Sequence, residues 1–225
     1  MLEVSNQGLE TSVQDYPGRV GYLNQGFPPS GPMDSWSFRL ANLLVNNDES
    51  EGALECQYTG PTLKFEKDQV VAICGADMQP KVNGKSVPMW ESILIKADQT
   101  LELGFSLNGA RSYISFAGGI ESNPWLGSKS TFHKAGVGGI DGHAIKKGQK
   151  ISIGQSATRP GRKVREDCIP NIHNSGVWEI EVVRGPNDDW LDDNGYEIFL
   201  NAEWKLQARS DRTGFRLDGP TPTFN

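Results

Sequence analysis

Apolar residues in this chain recur mostly at every second position, in short runs separated by turn-forming residues. Leu54, Cys56 and Tyr58 alternate, as do Leu63 and Phe65, and residues 70–74 form a nearly continuous apolar run. A period of two places alternate side chains on one face of a strand, and a short continuous run fits a strand buried on both faces. Asn83-Gly84, set between Val82 and Val87, is a hairpin signal, because a type I′ turn needs positive φ at both central positions. Further strands are expected at 93–95, 101–105, 112–116 and 151–153. The 26 glycines and 13 prolines among 225 residues supply the turns this pattern demands. The expected fold is mainly β, a barrel or sandwich with one or two short helices.

One helix stands out. Asp34 can cap it, Trp36, Leu40, Leu43 and Leu44 follow at helical spacing, and Asn46-Asn47 ends it. A second short helix is expected within 188–200, weakened by Gly195. Residues 156–176 read as a linker or crossover between a first lobe, 1–155, and the start of a second, 177–225. Alternation resumes there at Trp178, Ile180 and Val182, then at Trp204 and Leu206, and ends with Phe215 and Leu217.

Charge and motifs exclude several classes of function. A net charge of −6 lacks the dense cationic face that a phosphate backbone needs, so nucleic acid is not an expected partner. The one basic cluster, Arg159, Arg162, Lys163 and Arg165, reads as a solvated linker. No apolar run approaches the roughly 20 residues of a membrane span, and the start lacks the pattern of a signal peptide, so the chain reads as cytoplasmic. Cys56, Cys74 and Cys168 have no paired spacing and read as free thiols. His133, His143 and His173 show no metal-ligand spacing, and no metal is expected. A serine-hydrolase elbow, a P-loop and a dinucleotide fingerprint are all missing, and Gly136-Val137-Gly138-Gly139 reads as a tight turn.

Polar residues concentrate in three segments rich in glycine and proline, where rigid backbone suits a binding site. The first holds Gln14, Asp15, Arg19, Ser30 and Asp34. Asp34 can be only a helix cap, and Asp15 and Arg19 only a loop ion pair. The second runs from Arg111 to Thr131 and includes Ser128, Lys129 and Ser130; Lys129 can equally be a surface charge. The third contains Arg212 and Arg216, four apart in a segment read as extended, which suits either a carboxylate or an inter-strand ion pair.

Ordered motifs tie these segments together. They are Thr11-Ser12-Val13-Gln14-Asp15 with Gly18-Arg19, Pro28-Pro29-Ser30-Gly31-Pro32-Met33-Asp34, Phe38-Arg39-Leu40-Ala41-Asn42, Gly60-Pro61-Thr62-Leu63, Gly75-Ala76-Asp77, Ala117-Gly118-Gly119-Ile120 and Leu126-Gly127-Ser128-Lys129-Ser130-Thr131-Phe132. Together they resemble the carboxyltransferase family of urea carboxylase, which includes the allophanate hydrolase subunit 2-like proteins and the third subunit of bacterial 5-oxoprolinase. Asp15-Tyr16-Pro17-Gly18-Arg19 and Gly31-Pro32-Met33-Asp34 look most like the urea carboxylase and urea amidolyase branch, and Gly185-Pro186, Ser210-Asp211-Arg212 and Arg216-Leu217-Asp218-Gly219-Pro220 extend the likeness to the end.

The resemblance implies cyclophilin-like β-barrel lobes and a task, moving the carboxyl group of carboxybiotin to a urea or amide nitrogen. The clustering of polar residues makes Gln14, Asp15, Arg19, Ser30, Asp34 and Arg216 catalytic candidates for this task, and Arg111, Ser128, Ser130, Thr131 and Arg212 substrate-binding candidates. Carboxybiotin would come from a partner, because the chain has no Met-Lys-Met attachment tetrapeptide, and ATP would be handled in a partner subunit. The implied partners are a companion cyclophilin-like subunit (allophanate hydrolase subunit 1-like), a biotin carboxylase and a biotin carrier. Members of the family usually continue past the point where this chain stops, so the resemblance implies an inert isolated chain. Two alternatives stay open: a 5-oxoprolinase component working with a lactam-hydrolase subunit, and a non-catalytic regulator that binds a companion cyclophilin-like protein.

Overall fold

The computed structural model describes residues 1–172 and 180–225, which fall into two compact units, Met1–Asn174 and Ser175–Asn225. The first unit holds eleven strands among its described residues: β1 (Leu2–Asn6), β2 (Glu10–Gln14), β3 (Ala53–Gln57), β4 (Thr62–Phe65), β5 (Gln69–Asp77), β6 (Lys81–Val82), β7 (Lys85–Ser86), β8 (Ser92–Ile95), β9 (Thr100–Glu102), β10 (Asn108–Phe116) and β11 (Lys150–Ile151). Helix α1 spans Ser35–Leu44. All strand pairs are antiparallel, in a six-stranded sheet ordered β11-β1-β4-β9-β6-β7 and a five-stranded sheet ordered β2-β3-β10-β5-β8.

One apolar core joins the two sheets. Leu2, Val4, Leu63, Phe65 and Leu101 come from the six-stranded sheet, and Val13, Leu54, Ile73, Ile114 and Phe116 from the five-stranded one. A second core packs α1 on the other face of the five-stranded sheet, through Phe38, Ala41 and Leu44 against Ala53, Ala72, Cys74 and Tyr113. The mainly β, barrel-type architecture follows from this division of side chains between inner and outer faces.

Local signals behave as their chemistry requires. Asp34 caps α1, its Oδ1 accepting from Ser37 N at 3.0 Å. Asn83 (φ 48°) and Gly84 (φ 77°) turn β6 into β7. Cys56 and Cys74 are buried and free. The 136–139 glycine segment is a turn, closed by Phe132 N donating to Val137 O at 2.8 Å.

Four sequence expectations are corrected. Thr11 to Gln14, expected in a polar loop, is strand β2, its polar side chains directed by the pairing with β3. The apolar stripe that marks α1 in sequence is only half buried: Leu44 packs inward and Leu40 against the same core, Trp36 and Leu43 are 48% and 46% exposed, and Ser37, Phe38, Ala41 and Asn42 complete the buried face. The 156–172 part of the expected linker is packed on the first unit. Ser92 N donates to Arg162 O at 2.8 Å, Val164 N donates to Trp90 O at 2.9 Å, and Val164 is buried. The basic cluster is solvent-exposed as expected but is no linker, since Arg162 Nη1 donates to Leu43 O at the end of α1.

In the second unit, α2 (Asp193–Asn201) falls within the expected helical stretch, and β12 (Lys205–Leu206) pairs β13 (Leu217–Asp218). Ile180 and Val182, expected in a strand, are exposed and outside any strand, while Trp178 and His173 lie outside the described residues. No helix among the described residues is long and apolar enough to cross a membrane.

Candidate functional site

Strand β2 ends at Gln14, so the next residue leaves the sheet. Asp15 turns its carboxylate onto the 128–130 segment, more than a hundred residues away in sequence. Its Oδ1 accepts from Ser128 Oγ at 2.6 Å, Ser130 Oγ at 2.5 Å and Ser130 N at 3.1 Å, and its Oδ2 accepts from Lys129 N at 2.6 Å. Two hydroxyls and two backbone amides on one carboxylate make a rigid, charge-assisted junction. Thr131 extends it, donating through N and Oγ1 to Val13 O at 2.9 and 3.0 Å.

Arg19 lies against the same segment and is 1% exposed. Its Nη2 donates to Ser130 O at 2.8 Å, its Nε donates to Trp125 O at 3.2 Å, and its guanidinium sits 4.8 Å from the Trp125 ring centroid. Burial pushes its pKa below the ordinary value, and the nearby negative charge of Asp15 partly offsets this. The two residues form no ion pair with each other, so the loop ion pair considered from sequence is replaced by two separate anchors on one segment.

Glycines make the approach possible. A side chain on Gly138 would meet Ser130 O at 2.1 Å, and one on Gly18 would meet Pro29 O at 2.4 Å. The second contact interlocks the 15–19 and 28–34 loops, where Arg19 N donates to Pro29 O at 2.6 Å. Ser30 sits in that second loop with φ 57°, in the left-handed region.

A second polar network occupies the α1 face of the five-stranded sheet. Register puts Ser12, Glu55, Tyr113 and Cys74 side by side across β2, β3, β10 and β5, with Gln57 and Arg111 paired one step along. Glu55 is buried and forms an ion pair with Arg111, Nε to Oε1 at 3.3 Å. Its Oε2 accepts from Tyr113 Oη at 3.0 Å and from Met33 N at 2.9 Å, and Tyr113 Oη accepts from Asp34 N at 2.8 Å. Burial pushes the Tyr113 phenol upward, and the Glu55 charge adds to the shift.

The sequence-predicted residues therefore separate. Asp15, Arg19, Ser128, Ser130 and Thr131 come together. Arg111 and the backbone of Asp34 belong to the Glu55 network, and the carboxylate of Asp34 is used as the α1 cap. Gln14 is buried on the sheet face, its Nε2 donating to Ser12 Oγ at 3.0 Å. Arg212 and Arg216 lie in the second unit. Arg212 sits in a turn closed by reciprocal bonds between Asp211 and Gly214, so the extended geometry expected for the pair is not found. Arg216 is exposed.

Glu55 and Tyr113 were not expected. Both sit in apolar alternations, and the signal was an acid among Ala53, Leu54 and Cys56 on a strand otherwise buried. Lys129 is no free surface charge, since its Nζ pairs with Glu51 and donates to Ile120 O at 3.0 Å. The described residues contain no cluster of three or more metal-ligating side chains. Fixed donors and acceptors of this kind can orient a small polar group and stabilise developing negative charge, without a nucleophile of their own.

Comparison with known proteins agrees with the ordered motifs. Urea amidolyase of Saccharomyces cerevisiae is 37% identical over 230 residues, which cover 99% of this chain and 12% of the yeast protein. The third 5-oxoprolinase subunit of Escherichia coli K12 is 34% identical over 221 residues, covering 97% of this chain and 69% of that one. The crystal structure of the K. lactis urea amidolyase superposes with a TM-score of 0.91 at 38% identity, covering 99% of this chain and 14% of that one. The chain thus spans about an eighth of the length of the urea amidolyases it matches, and its relatives carry this fold either within a much longer protein or as a named subunit. Residues 25–225 match the family described as the carboxyltransferase domain, subdomains A and B, and the chain belongs to that family.

Proposed function

We propose that this chain is the carboxyltransferase component of a biotin-dependent urea or amide carboxylase, working on a carboxyl group delivered as carboxybiotin. The observation that carries the reading is its match to urea amidolyase over nearly its whole length, at a TM-score of 0.91. The donor set is compatible with such a ligand. Gln14 Oε1 and Arg19 Nη1 are buried without a hydrogen-bond partner among the described residues, one an acceptor and the other a donor, the two kinds of group that a urea or ureido ring needs.

When bound, carboxybiotin supplies the activated carboxyl group and a base for the substrate proton. The tasks left to this chain are positional. Arg19 and Gln14 would hold the polar group, and the Asp15 junction with Ser128, Ser130 and Thr131 keeps Arg19 in place. Ser30 and Asp34 belong to the loop locked against Arg19, Arg111 fixes Glu55 beneath that loop, and Arg212 and Arg216 remain candidates for the carboxyl group. In this reading the first unit, Met1–Asn174, is a first lobe and Ser175–Asn225 belongs to a second. A companion cyclophilin-like subunit, a biotin carboxylase and a biotin carrier complete the system in the cytoplasm, with ATP used in a partner.

The test is urea-dependent ATP turnover by the complete complex, containing the full-length protein and these partners. Arg19→Ala and, separately, Arg216→Ala should lower carboxyl transfer and leave biotin carboxylation unchanged. No urea-dependent turnover in the unmutated complex would overturn the reading. The 34% identity to the third 5-oxoprolinase subunit, across 69% of its length, supports a second reading, that of a component acting on a lactam. Turnover of 5-oxoproline with a lactam-hydrolase partner, and none with urea, would establish that one instead.

A further inference from the structure

A cleft of about 450 Å³ opens where β5 leaves its sheet, lined by Gly75, Asp77, Lys81, Ser86, Met89 and Trp90 among others. It shares no residue with the Asp15 junction or the Glu55 network. Its volume falls within the roughly 300–1,000 Å³ of small-molecule sites. The walls mix two kinds of chemistry: Pro80, Val87, Met89 and the Trp90 indole are apolar, and Asp77 and Lys81 carry opposite charges.

Those two charges face the same cleft yet are not paired. Neither Asp77 nor Lys81 forms an ion pair with the other or with any described residue. Asp77 is positioned by the backbone, its Oδ1 accepting from Gln79 N at 2.8 Å, which leaves its other oxygen for a ligand. Trp90 is also held firmly. It adopts φ 60°, a region costly for a large side chain, and is clamped on both sides, its N donating to Ile73 O at 2.8 Å and its O accepting from Val164 N at 2.9 Å.

From this arrangement we infer that the cleft binds a small zwitterion with an apolar side chain, an α-amino acid in chemical class. The ammonium would sit at Asp77 beside the Trp90 face, where carboxylate and ring quadrupole both favour a cation. The carboxylate meets Lys81, and the side chain lies on Met89 and Val87. A neutral amide would leave both charges unmatched, and a ligand of one sign would match only one. The inference is independent of the carboxyltransferase reading, because it uses neither its residues nor its substrates.

Calorimetric titration of the full chain with L-leucine, 3-methylbutylamine, 4-methylpentanoate and 3-methylbutanamide tests it. Leucine should bind at least about tenfold more tightly than each of the other three, since each lacks a charge-assisted contact. Asp77→Asn, which keeps an acceptor for Gln79 N, should remove the preference for leucine over 4-methylpentanoate. Lys81→Met should remove the preference over 3-methylbutylamine, and the Met89 methyl resonance should shift on leucine addition in the unmutated protein. Thermal unfolding of both variants checks that they remain folded. No binding of leucine, equal binding of the amide, or leucine binding undiminished in both folded variants would each overturn the inference. Failure here leaves urea-dependent turnover untouched, so the two readings fail separately.

Discussion

The two units of the chain treat apolar residues in opposite ways. The first buries two apolar cores, with Phe38, Phe65, Phe116 and Tyr113 at or near zero exposure. Among the described residues of the second, only Gly195 is buried, and Val183 is 94% exposed. Burial of apolar area is the main favourable term in folding, so the first unit has the means to fix polar side chains precisely and the second has few. Arg19 and Arg216 show the consequence. The first is enclosed and held by two carbonyls, while the second lies exposed just before β13 in the short two-stranded ribbon of β12 and β13.

The sharpest way to break this contrast is a matched pair of truncations. Phe38→Ala removes a fully buried ring packed edge-on to Tyr113, 5.7 Å between centroids, and should cost about 3–5 kcal/mol in urea-induced unfolding. Phe215→Ala removes a ring that is 61% exposed and should change stability by less than about 0.5 kcal/mol. Equal losses would mean that the second unit also rests on a packed core.

Asp15→Ala comes next. It strands Lys129 N and the buried Ser128 and Ser130 groups that now converge on one carboxylate. A hydrogen bond to a charged group contributes roughly 1.5–3 kcal/mol and such bonds are not additive, so the expected loss is about 3 kcal/mol. The variant should also free the 128–131 segment, seen as faster amide hydrogen exchange there. A loss below about 1 kcal/mol would show that the junction follows from the fold and does not hold it.

This junction also marks the limit of what was legible from sequence. The Asn83-Gly84 hairpin and the Asp34 cap were readable because each is a local event: a turn needing positive φ, and a carboxylate three residues from the amide it accepts. Asp15 and Ser130 were recognisable as candidates, but their meeting across 115 positions depends on where β2 ends, which no local pattern records. Glu55 and Tyr113 escaped because alternation reports which face a residue takes and not whether that face is polar. The outward stripe of α1 escaped for a related reason. Helical spacing fits both the Trp36-Leu40-Leu43-Leu44 stripe and Phe38-Ala41-Leu44, and only the sheet beneath decides that Trp36 and Leu43 stay outside.

Alkaline pH should weaken the first unit selectively. Burial pushes the Cys56 and Cys74 thiols far above their ordinary 9.0, so both stay protonated in the folded chain where the unfolded chain ionises. Above about pH 9 the unfolded state then binds fewer protons, and stability falls as pH rises. Below that value the contribution is fully present. Cys56→Ala together with Cys74→Ala should flatten the decline between about pH 9 and 11 in denaturant titrations. In the native protein Cys168, partly exposed, should be alkylated well before the other two. An unchanged slope in the double variant would assign the alkaline loss to other groups.

The smallest effect concerns where the first unit ends. Residues 159–165 have the composition of a linker, yet Arg162 donates from Nη1 to Leu43 O at 2.9 Å and to Asn46 Oδ1 at 3.0 Å, both at the C-terminal end of α1. A cation there adds a side-chain donor to a carbonyl that also accepts from Asn46 N at 3.1 Å, and it opposes the negative end of the helix dipole. Arg162→Ala should cost about 0.5–1 kcal/mol, reduced by added salt because the side chain is solvent-facing. Arg165 gives the contrast within the same segment, since among the described residues its side chain pairs with Asp167, both largely exposed. Its removal should change stability by less than about 0.5 kcal/mol. A difference between the two variants places the boundary of the folded unit beyond 162, and equal, negligible effects would return this segment to the status of a linker.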